Sequence, residues 1–162
     1  MANAGRTGVT TYATPTDTQV VITRIVNAPR QLVFEAWTDP RHARQWLLGP
    51  EGWTMPVCEM DLRPGGAFRY VWRKAAGQEM TIQGSVREVV PPERLVTTES
   101  WGPEWPETVN SLMFTEVAGQ TTITLTILYP SKQARDAALA TGMKDGMDQS
   151  FAHLDALLER LA

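Results

Sequence analysis

The chain has 162 residues, 43% of them hydrophobic and 20% charged, with a net charge of −3, which suits one domain able to bury its own core. Its lysines and arginines are scattered rather than massed, excluding a nucleic-acid footprint or a polybasic membrane anchor. One cysteine, Cys58, excludes an internal disulfide, and with only His42 and His153 there is no cluster at metal-ligand spacing, so no metal or cofactor is expected.

Residues 1–17 are rich in Ala, Gly, Thr and Pro and offer little apolar surface to offset the entropy of ordering them, so a loose tail is expected ahead of a single domain over residues 18–162. No apolar run reaches the length of a secretion signal or of a membrane span, about 18 residues, and a cytoplasmic, reducing location is expected. From Val20 to Val26 the β-branched residues favour a strand, which Asn27-Ala28-Pro29 ends. Pro29 suits the first turn of a helix over Arg30 to Trp37. A second short helix follows, capped by Thr38 or Asp39 and opened by Pro40, with Trp46-Leu47 pointing inward before Gly49-Pro50 breaks it.

A run of strands comes next. Cys58, Met60 and Leu62 alternate with charged residues, Pro64-Gly65-Gly66 turns the chain, and Phe68, Tyr70 and Trp72 alternate in the return strand. A strand carrying Met80, Ile82, Gly84 and Val86 follows, where the glycine implies a bulge or a close backbone approach. Pro91-Pro92 stops it. Leu95 to Trp101 is another strand whose register stays open, because both parities offer residues suited to the inner face. A last hairpin joins Val109–Thr115 to Thr122–Tyr129 through Ala118-Gly119-Gln120, its second strand alternating Ile123, Leu125 and Ile127 with threonines.

Ser131 can cap a short helix running to Ala140, and Thr141-Gly142 separates it from the longest element. There Met143, Met147, Phe151, Leu154, Leu158 and Leu161 recur every three or four residues and form one apolar stripe. At ~1.5 Å per residue such a helix is about 28 Å long, the reach of a strand of eight or nine residues. The pattern predicts an α+β domain in which a long C-terminal helix lies across a curved antiparallel sheet.

Ala28-Pro29-Arg30, Val33-Phe34-Glu35-Ala36-Trp37-Thr38-Asp39-Pro40, Trp46, Gly49-Pro50, Asp61-Leu62-Arg63-Pro64-Gly65-Gly66, Pro91-Pro92-Glu93-Arg94-Leu95 and the stretch from Gly142-Met143 to Gly146-Met147 together resemble one family. It is the C-terminal-domain family of the activator of the 90 kDa heat-shock chaperone's ATPase, within the START-like (SRPBCC) superfamily. The resemblance runs from about Val20 to the end. It implies the helix-grip fold, a seven-stranded antiparallel sheet around a long C-terminal helix with two short helices after the first strand, enclosing a cavity that often holds apolar ligands. Many members carry a double Trp before the Gly-Pro, where this chain reads Trp46-Leu47-Leu48.

Phe68, Tyr70 and Trp72 on one strand, Met80 and Ile82 on its neighbour, and Met143, Met147 and Phe151 on the helix fall on facing surfaces. Such a set either fills a core or lines a pocket for a small apolar or aromatic molecule. Trp46, Trp53, Met55 and Trp101 stand where they can close its ends. Tyr70, Glu79, Glu99 and Tyr129 are the candidates for a polar group inside. Gly146, inside the helix, leaves room for a ligand or a strand, or marks a kink. His153 reads as part of a solvated face and Cys58 as a buried structural thiol. Three functions fit: a small-molecule binding module, a protein that contacts a chaperone or another stress-response partner through its outer sheet face and loops, and a cyclase- or hydrolase-like enzyme using the same cavity.

Overall fold

The computed structural model describes residues 7–162. Eight strands and four helices follow in the order β1 (Thr10–Ala13), β2 (Gln19–Val26), α1 (Arg30–Thr38), α2 (Pro40–Trp46), β3 (Trp53–Met60), β4 (Ala67–Lys74), β5 (Glu79–Val90), β6 (Arg94–Glu99), β7 (Thr108–Val117), β8 (Gln120–Leu128), α3 (Lys132–Leu139) and α4 (Met143–Leu161). All strand pairs are antiparallel in one sheet ordered β1-β2-β8-β7-β6-β5-β4-β3, so β2 pairs with β8 and carries the chain's first strands to the far side of the meander.

Local chemistry sets the boundaries. Asp39 caps α2, its Oδ1 accepting from Arg41 N at 2.9 Å, and Pro40 fills the first turn, where its missing N–H leaves no helical hydrogen bond unmade. Ser131 Oγ accepts from Ala134 N at 3.1 Å and starts α3. Ala118 and Gly119 both take positive φ, which matches a two-residue hairpin turn to the twist of β7 and β8.

The seven strands expected from the sequence are present, and β1 is an eighth. It lies inside the stretch expected to be a loose tail, of which residues 1–6 fall outside the described residues. β1 pairs with β2 from Thr10↔Arg24 to Ala13↔Val21. The single proton of Tyr12 Oη is shared between two acceptors on α4, Lys144 O at 2.9 Å and Asp148 Oδ1 at 2.8 Å. Arg24, 6% exposed, holds the other side: Nη1 donates to Gly8 O at 3.2 Å and Thr10 Oγ1 at 2.8 Å, while Nη2 pairs with Asp155 of α4. These polar contacts with distant residues order a segment too poor in apolar groups to order itself.

The inner face of the sheet follows from register. Tyr70 faces Ile82 across one ladder and Cys58 across the other, Leu95 faces Leu112, Thr97 faces Asn110 and Glu99 faces Thr108. Odd-numbered residues of β6 therefore point inward, resolving the register left open above. In β3 the ladder slips between Thr54 and Val57, so Met55 and Pro56 occupy a bulge, with the buried Met55 turned in and Pro56, which has no N–H to donate, turned out.

Two packed regions result. Phe151, Leu154, Leu157 and Leu158 of α4 pack with α1, β2, β7 and β8 into the main core. Met55, Cys58, Phe68, Tyr70, Trp72 and Ile82 pack with Ala43 of α2 in the second. Between them, under the first turns of α4, the interior is not filled.

Candidate functional site: the cavity beneath the last helix

The unfilled space is a cavity of about 630 Å³. Its roof is Met143, Gly146, Met147 and Ser150 of α4 together with Ala134 and Ala138 of α3, whose small side chains leave room. Its floor is the inward row of the sheet. Of the twelve residues proposed from sequence, nine line it: Phe68, Tyr70 and Trp72 on β4, Met80 and Ile82 on β5, Met143 and Met147 on α4, Trp53 opening β3, and Trp101 after β6. Met80 and Trp101 are 41% and 43% exposed, which marks the cavity's opening. There Trp101 stacks on Trp72 with ring centroids 5.8 Å apart and planes at 9°.

The other three belong to the packed regions. Trp46 is fully buried between α1 and α4, stacked on Phe151 at 6.3 Å, edge-on to Trp37 at 4.7 Å, with Nε1 donating to Ala36 O at 2.8 Å. Phe151 closes that cluster, with the Arg24 guanidinium 5.3 Å from its ring centroid. The bulge in β3 packs Met55 into the second cluster with Ala43 of α2. The helical stripe correctly gave the side of α4 that faces the sheet, but Phe151 meets side chains there and Met147 meets space.

The loop after α2 forms a further wall through Leu47, Leu48, Gly49 and Pro50. Three hydrogen bonds fix it: Trp72 Nε1 donates to Leu47 O (2.7 Å), Gly49 N to Ser150 Oγ (2.8 Å) and Glu51 N to Gln149 Oε1 (3.2 Å). Gly146 faces the cavity, and a Cβ there would meet only Pro50 Cδ at 3.6 Å, so neither a strand nor a backbone requires the glycine.

Against these apolar walls stands one charged residue. Among the described residues Glu99 is the sole ionisable acid or base in the lining, apart from the phenols of Tyr70 and Tyr129. Thr108 Oγ1 donates to Asn110 Oδ1 at 2.7 Å, which turns the amide so that Asn110 Nδ2 donates to Glu99 Oε2. Glu99 lines the cavity, and its second oxygen, Oε1, accepts from no donor among the described residues. Burial raises the Glu99 carboxyl to about 7, because the charged form has lost its water. Burial also raises the Tyr129 phenol to about 12 and the Tyr70 phenol further, with the charge of Glu99 adding to both, so both remain protonated donors at neutral pH. Tyr129 Oη lies 3.9 Å from Met143 Sδ.

Glu99 and Tyr129 were among the sequence candidates for an interior polar group; Glu79 instead pairs with Arg73 on the exposed side. Asn110 and Thr108 were missed, although both share the alternation of Leu112 and Phe114, and a polar residue on a buried row is a signal in itself. Trp37 was also missed as a wall. Cys58 is buried, which pushes its thiol up to about 11 and leaves it protonated at neutral pH. His153 is exposed on α4. Among the described residues no group of three or more His, Cys, Asp or Glu side chains converges as a metal-binding set, and no helix is long and apolar enough to cross a membrane.

A curved antiparallel sheet gripping a long C-terminal helix, hollow beneath the helix's first turns, defines a START-like domain. Within that class the chain belongs to the family of Activator of Hsp90 ATPase homolog 1-like proteins, which it matches over residues 27–159. Its fold is shared by a Rhodobacter sphaeroides protein of known structure, 28% identical, with a TM-score of 0.88 over 95% of this chain and 100% of that one. A Mycobacterium smegmatis protein is 26% identical with a TM-score of 0.82, covering 93% and 97% of the two chains. An AHSA1-like protein from Aeromonas hydrophila, at 20% identity and a TM-score of 0.69 over 84% and 92%, shares the fold. No curated protein matches the chain.

Proposed function

We propose that this protein is a binding module that takes up a small apolar or aromatic molecule in the cavity between the sheet and α4. The observation that carries this reading is the cavity's size and lining: about 630 Å³, walled by aromatic rings, thioethers and aliphatic side chains, with a few polar groups gathered at Glu99. Small-molecule sites typically span about 300–1,000 Å³ with mostly apolar walls and a few placed polar groups. The nine lining residues named from sequence are the proposed contacts. The polar groups are few beside the apolar walls: the Glu99 carboxyl and the protonated phenols of Tyr70 and Tyr129 can orient a bound molecule, while the rings and thioethers supply most of its contact surface.

The test is titration with N-phenyl-1-naphthylamine, an uncharged apolar fluorophore. Saturable one-to-one enhancement is expected in the wild type, together with its loss in Met147→Trp, whose added ring occupies the space while circular dichroism stays native. No enhancement, or enhancement indifferent to Met147→Trp, sinks the reading.

A further inference from the structure

Resting on that reading, we infer that the cavity selects an organic amine: an apolar or aromatic body carrying one protonated nitrogen that seats against Glu99 Oε1, with aromatic faces around it.

Four observations lead there. The lining holds one carboxylate and no Lys, Arg or His among the described residues, so no protein cation compensates Glu99. A buried carboxylate without a counter-charge is unfavourable, and a ligand that brings a cation gains what the protein lacks. The carboxyl group is oriented: Thr108 and Asn110 fix Oε2, leaving Oε1 as the free acceptor. Finally, Tyr70, Trp72 and Trp101 line the same space, with Trp72 and Trp101 stacked, and ring faces attract a cation that has shed its water.

The same arrangement discriminates between ligand classes. A carboxylate-bearing ligand such as a fatty acid meets a like charge and no donor cation, whereas a neutral alcohol of the same body loses only the ionic part of the contact. The ionisable groups facing Glu99 are the Tyr70 phenol of β4 and the Tyr129 phenol beyond β8, both protonated throughout the neutral range. Glu99 alone therefore sets the site's charge, and amine affinity follows its titration.

Three probes with one body decide the matter: 1-naphthylmethylamine, 1-naphthalenemethanol and 1-naphthoic acid, titrated calorimetrically into the full chain at pH 8. The amine is expected to bind about tenfold tighter than the alcohol, a difference of one decade in Kd, with the acid weakest. Glu99→Gln, which leaves a neutral acceptor for either head group and removes the charge, is expected to bring the amine to within about threefold of the alcohol. Independently of any variant, wild-type amine affinity is expected to fall between pH 8 and pH 5.5, where the amine stays protonated and Glu99 does not stay charged, and to fall by more than the alcohol's. Alcohol binding without an amine preference, an amine preference surviving in Glu99→Gln, or a flat amine profile with pH overturns the inference and leaves the cavity reading standing. Failure of all three probes overturns both.

Discussion

At the scale of single residues, two glycines show how differently the same residue type can be constrained. Gly84 of β5 lies so close to β6 that a Cβ would stand 1.8 Å from Thr98 O and 2.9 Å from Phe68 Cε1. The first obstacle is backbone and cannot rotate away. Gly84→Ala is expected to lose at least about 2 kcal/mol of stability, the upper part of the range for overpacking, because β5 and β6 must separate. Gly146 in α4 has ordinary room, with Pro50 Cδ at 3.6 Å. A helical glycine is less favourable than Ala by about 0.5–1 kcal/mol, so Gly146→Ala is expected to stabilise by that amount. Urea denaturation of both variants checks the pair, and a Gly84→Ala midpoint equal to wild type, or a Gly146→Ala midpoint below it, contradicts the account. The interior glycine of β5 was legible as a bulge or a close approach from its position in a strand pattern, and the contact with Thr98 O makes it the second. Gly146 was not separable from a required contact, because helical spacing reveals a face and says nothing of what stands opposite.

Among elements, β1 and α4 mark where sequence reasoning succeeds and where it stops. The three-and-four spacing from Met143 to Leu161 gives α4 its limits and its buried side, and alternation gives the hairpins, because both patterns are local. β1 has no such pattern: Thr10-Thr11-Tyr12-Ala13 is short and half polar, and its anchors, Asp148 and Asp155, lie more than 130 positions away. Likewise Leu95 and Val96 are both buried, so neither parity of β6 stood out, and the inward turn of Glu99 became legible only with the ladder to β7 in place. The site divided the same way. Rings on β4 could be named from alternation, whereas Phe151 was grouped with Met143 and Met147 because a stripe cannot tell a filled interior from a hollow one, and Trp46, read as closing an end of the cavity, is packed between α1 and α4. The anchoring of β1 predicts a local effect. Tyr12→Phe removes the hydroxyl that bridges Lys144 O and Asp148, a net contribution of about 1 kcal/mol, and is expected to speed exchange of the hydrogen-bonded Thr10–Ala13 amides about fivefold. The β7 and β8 amides should keep their protection. Unchanged exchange in β1, or loss of protection spread evenly over the sheet, shows that the hydroxyl does not hold this strand.

Across the whole molecule, a solid core under the C-terminal half of α4 supports a hollow under its N-terminal half, and the pH dependence of stability reports on the hollow. Asp39, held down to about 2 chiefly by its hydrogen bonds with Arg41, has a lowered folded pKa. Its contribution is present above its ordinary 3.8 and is lost as pH falls through about 2. Glu99 has the opposite sign. Its folded pKa is raised by burial from 4.5 to about 7, so between those values the folded chain keeps a proton that the unfolded chain gives up. Stability is therefore greatest with respect to Glu99 below about pH 4.5 and declines as pH rises through 7. At roughly 1.4 kcal/mol per pH unit the loss approaches about 3 kcal/mol. Glu99→Gln keeps an acceptor for Asn110 Nδ2 and cannot titrate, so its stability should stay level from pH 5 to pH 8 while the wild type declines. Denaturant unfolding across that range measures both. A wild type as stable at pH 8 as at pH 5, or a glutamine variant that declines in parallel, means that the carboxyl group is not confined as the fold places it, and the hollow beneath α4 would then have to admit enough water to solvate the charge.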